Sequence, residues 1–227
     1  MKHLAKSMIL IGAWVAAGNV HASFSLNPYV GVDCYHAWMK PKHVYGDFFA
    51  KSFPGLAAYM GTKIYKNIGF EVGYSNAHRT HTVTRRSSLF PSAIVTGQIK
   101  IIRHEAYMDL VGFLSPSYDC FELFGTLGYG VVKPEFSSAF SPTRSESATD
   151  AVAFLKSLKG KVRGVFRAGF GVSYMATPQV GLRAKIGWEG TSALRIVGEG
   201  NSTRTRALSH KAFQNSTTIN LGVFLQF

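Results

Sequence analysis

The stretch "VGLRAKIGWE" sets Val180, Leu182, Ala184, Ile186 and Trp188 at every second position, with Gly181, Arg183, Lys185, Gly187 and Glu189 between them. A period of two belongs to a strand with two unlike faces, because a helix repeats near 3.6. "VRGVFRAGFGVSY" repeats the pattern, with Phe166, Ala168, Phe170, Val172 and Tyr174 set against Arg163, Arg167, Gly169, Gly171 and Ser173. In "NIGFEVGYS" the apolar set is Ile68, Phe70, Val72 and Tyr74; in "FELFGTLGYGV" it is Phe121, Leu123, Leu127 and Tyr129. Four further strands fit at about 28–38, 54–64, 94–114 and 215–227, which makes eight.

The composition of the second face decides what the strands build. A soluble sandwich would turn Lys, Glu and Thr to water, whereas this face is largely Gly, Ser, Thr and isolated charges, the filling of a narrow barrel. The apolar face then needs lipid. Segments of about ten alternating residues with aromatics near their ends, such as Tyr74, Tyr129, Tyr174 and Trp188, mark a transmembrane barrel. Connection lengths agree. Short links fall near 65–67, 115–119 and 176–179, long ones near 39–53, 78–93, 133–161 and 190–214, and they alternate throughout. The expected fold is all-β: an eight-stranded antiparallel up-and-down transmembrane β-barrel with both chain ends on the periplasmic side.

The start of the chain reads as an export signal. Lys2 and Lys6 precede an apolar run from Met8 to Ala17, and Val20, His21 and Ala22 offer a cleavage site. The run is shorter than the about 20 residues a spanning helix needs. Residues 1–22 are therefore expected to be a signal peptide and 23–227 one outer-membrane β-barrel domain. Cys34 and Cys120 fall on separate strands in this layout and are expected to stay unpaired.

The opening "NPYVGVD", the Gly-aromatic strand "FELFGTLGYG" and the closing "INLGVFLQF" resemble the outer-membrane β-barrel family that includes opacity-type surface proteins and the barrel of outer-membrane protein A. The resemblance implies a bacterial outer-membrane location, a surface-exposed small barrel without a cofactor, and roles in envelope integrity, adhesion or host contact. It also implies that Phe227 is the terminal aromatic recognised by the barrel assembly machinery.

Charge narrows the function further. The chain has 25 Lys and Arg against 12 Asp and Glu, and the four long connections hold fifteen of the former and five of the latter. A basic rim suits phosphate-rich lipopolysaccharide, or a sulfated host glycan or acidic receptor; loops that are only solvated are the alternative. The anion-binding candidates are Arg79, Arg85 and Arg86 in "HRTHTVTRR", with Arg204 and Arg206. Nucleic acid is not expected as a partner. Inside the barrel, Asp33, Glu71, Asp109, Arg183 and Lys185 lie at similar heights by alternation, and burial makes unpaired charges costly, so they are expected to form one ion-pair network flanked by Glu122 and Arg167. Such a plug favours a non-enzymatic surface barrel over a small porin-like channel for ions or solutes.

Catalytic signals are weak. His36 in "CYHAW" has no Ser two positions on, Ser209 in "SHKAF" has no nearby carboxylate, and His104 and Glu105 fall on opposite faces. His78 and His81 form only a two-residue cluster, so neither a metal nor an enzyme is expected. "SATDAVAFLKSLKG" in the third long connection has helical spacing and is read either as a short helix or as an extended strand edge.

Overall fold

The computed structural model describes residues 26–41, 50–65, 67–86, 94–114, 120–142, 159–160, 162–190, 195–197, 210–211 and 213–227. Eight strands close into one barrel: β1 (Asn27–Pro41), β2 (Ser52–Tyr65), β3 (Ile68–Arg86), β4 (Ile94–Leu114), β5 (Phe121–Pro142), β6 (Arg163–Met175), β7 (Val180–Gly190) and β8 (Phe213–Gln226). Each pairs antiparallel with its neighbour in sequence, and β8 closes on β1 with Tyr29 opposite Gln226 and Met39 opposite Ser216. The Phe227 amide extends this seam by donating to the Pro28 carbonyl at 2.9 Å. Outside the barrel, Lys159–Gly160, Arg195–Val197 and His210–Lys211 form a small three-stranded sheet.

The register sets the bore. Starting at Lys63 and stepping across Gly69, Val111, Thr126, Gly169, Gly187, Thr218 and Ala37, the hydrogen-bonded rows return to β2 at Phe53, ten residues from the start. Eight strands with that stagger tilt by about 40° and leave an interior that side chains alone can fill.

The alternation sorts the residues as expected. Outward residues include Leu56, Met60, Val72, Met108, Leu110, Leu127, Phe166, Phe170, Leu182, Ile186, Leu221 and Val223, all exposed. So wide an apolar surface is far beyond what a soluble monomer shows, and it requires lipid. On β5 the apolar band runs from Phe121 to Val131, and ten residues at about 3.3 Å, tilted, span about 25 Å, the height of a lipid-facing band. Trp38, Tyr74, Tyr129 and Trp188 ring its upper edge; Tyr65, Phe121 and Tyr174 lie near its lower edge.

Glycine makes the filled bore possible. Gly31 sits opposite Tyr59 on one side and Phe224 on the other, and Gly73 lies between Tyr59 and Tyr107. A Cβ at either glycine would enter a tyrosine ring. Large inward rings thus lie over positions without a side chain.

Two expectations about the connections need correction. The segment 78–93 was expected to be loop, yet β3 runs on to Arg86 and pairs with β4 as far as Ile94; the segment from 133 onward continues as β5 to Pro142. Past the lipid band both faces can be polar, so the apolar alternation stops while backbone pairing continues. The helix-spaced segment lies outside the described residues except for Lys159–Gly160, which is strand, and the signal segment 1–22 lies wholly outside them.

Candidate functional site

The charged interior is built from rows with a repeated plan. Arg183 on β7, Gly222 on β8 and Asp33 on β1 lie in one hydrogen-bonded row, so the arginine reaches across the glycine to the carboxylate on the next strand. Arg183 Nη2 is 2.8 Å from Asp33 Oδ2, and Nε donates to both Asp33 oxygens at 3.1 and 3.2 Å. A Cβ on Gly222 would collide with Asp33. The plan recurs where Arg167 on β6, Gly128 on β5 and Asp109 on β4 share a row, with Arg167 Nε 3.2 Å from Asp109 Oδ1.

These rows meet through Glu71, which lies directly opposite Asp109 on β3 and β4. Like charges in that position repel, so each needs its own cation. Arg183 Nη1 donates to Glu71 at 2.7 Å; Lys185 Nζ is 3.7 Å from Asp109. Tyr29 and Tyr107 hydroxyls also point to Glu71, each at 3.4 Å. Arg183 lies 3.3 Å above the Tyr59 ring and Arg167 3.9 Å above that of Tyr107, so the rings over glycine also face the guanidinium groups.

The expected plug residues are all inward, but they do not form one network with two flanking groups. Among the described residues, the ion pairs fall into three groups. Asp33, Glu71 and Arg183 form the first. Arg167 is central to the second, where it also binds Glu105 and lies 3.4 Å from Glu189, while Arg103 pairs with Glu105 at 2.9 Å and Glu189 at 2.7 Å. Arg103 further donates to the Tyr35 hydroxyl, and Ser216 donates to Glu189 at 2.5 Å. Glu122 belongs to a third group at the periplasmic mouth, bound by Lys63 at 2.7 Å. Arg167 is central because its long side chain leaves β6 opposite a glycine, with room to reach β4.

Lys63, Arg103, Glu105 and Glu189 were not among the residues expected in the charge network. Their signal was parity: Arg103 and Glu105 lie an even number of residues from Asp109, and Glu189 from Arg183 and Lys185. Beyond the charges, Met39, Phe53, Ile99, Ile101, Val132 and Val165 are buried at further inward positions toward the long-connection end. At the periplasmic end a cavity of about 30 Å³ is lined in part by Lys63, Phe113, Glu122 and Phe224. That volume has room for one or two waters.

The remaining candidates lie apart from the lumen. Arg79 is exposed on β3 beyond the lipid band, and Arg85 and Arg86 are at the end of the same strand, paired with Val95 and Ile94; Arg204 and Arg206 lie outside the described residues. Phe227 is 74 % exposed at the periplasmic edge. Both cysteines are free and exposed. His36 faces outward, 2.8 Å from Ser52 Oγ and stacked on Trp38. His104 faces outward and Glu105 inward, as their alternation requires. No group of three or more metal-ligating side chains occurs among the described residues.

On the outer wall above the aromatic ring, Asn76, His104 and Lys133 occupy one cross-strand row. His104 Nδ1 is 2.5 Å from the Tyr74 hydroxyl and 3.1 Å from Asn76 Nδ2, while Nε2 is 3.7 Å from Glu135. Lys133 Nζ is 2.8 Å from Glu135; that hydrogen bond raises the lysine above its ordinary pKa and lowers the carboxyl below its own, so both are charged at neutral pH.

No family model and no curated protein matches the chain. Solved structures do. Outer membrane protein OprG from Pseudomonas aeruginosa is 11% identical over 92% of this chain and 99% of its own, with a TM-score of 0.57. Ail, the attachment invasion locus protein of Yersinia pestis in complex with the heparin analogue sucrose octasulfate, is 13% identical over 89% of this chain and 99% of its own, with a TM-score of 0.50. Neisserial surface protein A is 15% identical over 88% and 97%, with a TM-score of 0.47. Identities this low speak to fold. The closed eight-stranded register, the lipid-facing band and the likeness to OprG and Ail agree that the chain has the fold of a small bacterial outer-membrane β-barrel.

Proposed function

We propose that the protein is a non-enzymatic surface barrel of the outer membrane whose basic outer parts contact anionic groups, on lipopolysaccharide or on a sulfated glycan of another cell, and so serve envelope structure and adhesion. The observation that carries this reading is the separation of its charges. Inside, the cations described are spent on buried carboxylates; the basic excess lies in the parts beyond the lipid band. A closed lumen leaves the outer surface as the place where the molecule acts. The His36–Ser52 pair has no carboxylate bonded to it among the described residues, which weighs against hydrolytic chemistry. The heparin analogue held by the Ail protein supports a sulfated-glycan ligand here.

The test is retention of the refolded protein on immobilised heparin across a salt gradient. Replacing Arg79, Arg85 and Arg86 together with Ser should shift elution to lower salt and flatten the salt dependence, since attraction between exposed charges is screened within about 8 Å at physiological ionic strength. Unchanged elution refutes the basic-patch reading. The porin-like alternative predicts steady single-channel conductance from the wild-type barrel, and the filled bore predicts none.

A further inference from the structure

The strands β3, β4 and β5 are 19, 21 and 22 residues long, whereas β6 and β7 have 13 and 11. Three adjacent strands therefore stand above the lipid band as a ridge on one side of the barrel. Its outer face begins abruptly. On β5 the last large apolar outward residue is Val131, and the next outward position is Lys133, 59 % exposed.

The row at that boundary is chemically specific. The Asn76 amide nitrogen can only donate, so it pairs with His104 Nδ1 as acceptor, the nitrogen that the Tyr74 hydroxyl also reaches, while Nε2 faces Glu135 at 3.7 Å. The whole cluster is thus oriented, with Lys133 at its outer edge retaining free ammonium donors beside a single carboxylate. Lys100 is exposed on the same outward face, one turn of alternation beyond Ile102. Anything reaching this row must lie against the outer wall at the top of the apolar band, where bilayer headgroups sit.

We propose that the row Asn76–His104–Lys133 is a lateral binding site for a phosphate-bearing lipid headgroup of the outer leaflet, with the Lys133 ammonium taking the phosphate and the oriented Asn76, His104 and Tyr74 groups bracing the wall beside it. Glu135 competes with the phosphate for Lys133. The site rests on the outer-membrane reading of the barrel but not on the basic patch at Arg79, Arg85 and Arg86.

That competition supplies the test. The refolded full-length mature chain is examined by native mass spectrometry in detergent with three probes: bis-phosphorylated lipid A, enzymatically dephosphorylated lipid A, and phosphatidylglycerol. Wild type should retain a phosphorylated lipid and not the dephosphorylated one, and whichever of the two phosphorylated probes is held more tightly names the source. Lys133→Gln should weaken retention about tenfold, the loss of one charge-assisted hydrogen bond. Glu135→Gln should strengthen it, because it frees the ammonium. Opposite signs from neighbouring residues are not expected of a purely structural role, and heat-modifiable gel migration verifies that both variants fold. Equal retention of dephosphorylated lipid A, or the same retention in both variants as in wild type, overturns the site. So does loss of retention in Arg79→Ser with none in Lys133→Gln, a result that would move the phosphate to the basic patch and leave the surface-contact reading standing.

Discussion

Replacing Arg183 by Met removes one cation from between two buried carboxylates. In the folded barrel Asp33 keeps the Asn220 amide at 3.3 Å, and Glu71 keeps two long tyrosine contacts at 3.4 Å. Neither set replaces an arginine bound at 2.7 and 2.8 Å. Both acids are about 99 % buried, so solvent does little to compensate. Breaking a buried ion pair costs about 3–5 kcal/mol, and for a domain of this size each kcal/mol moves the midpoint by about 2–4 °C, so unfolding should fall by roughly 6–20 °C. The assay is the temperature at which the heat-modifiable band converts to the unfolded one. The triple variant Arg183→Met, Asp33→Asn, Glu71→Gln discriminates the cause, because neutralising the whole group removes the stranded charges and should recover most of the loss. A single variant that melts within about 2 °C of wild type, less than the shift expected for 1 kcal/mol, or a triple variant no better than the single, refutes the reasoning.

Three further outcomes test the register and the orientation. Gly73→Val should cost about 1–3 kcal/mol by driving a side chain into the Tyr107 ring, whereas Gly112→Val, with open space around it, should cost nothing measurable by the same melting assay. Leu127→Arg places a charge near the middle of the lipid band and should destabilise by about 2–4 kcal/mol, read from denaturant titration in lipid vesicles; Ser137→Glu, outward but above the band and opposite Lys100, should not destabilise. Cysteine substituted at Arg85 or Thr203 should be labelled on intact cells by an impermeant reagent, and labelling only after lysis would invert the topology.

How much of this was legible beforehand depended on where lipid imposes a pattern. The strands, their number and the inward set that includes Asp33, Glu71, Arg167 and Arg183 all followed from period-two alternation, because a hydrocarbon solvent tolerates no polar residue on one face. Above the band that constraint lapses. "HRTHTVTRR" has polar residues at most positions of both faces, so nothing in it distinguishes a paired strand from a loop, although β3 continues there. The grouping of the ion pairs was illegible for another reason. Height alone cannot reveal that Arg167 and Arg183 each cross a glycine to an acid two strands away, since this depends on the stagger between strands, which no local window contains.

Seven of the eight strand pairings join neighbours in sequence, while the eighth brings Tyr29 to Gln226. Until that seam forms, Asp33 lies on one edge strand of an open sheet and Arg183 one strand in from the other, because the row that carries one to the other passes through Gly222 on β8. Closure therefore does two things at once: it satisfies the last exposed backbone edge, and it neutralises a guanidinium and a carboxylate that would otherwise face each other across a gap. In a barrel that has not closed, Asp33 and Arg183 lack each other as partners, and only the register that sets Gly222 between them unites the pair.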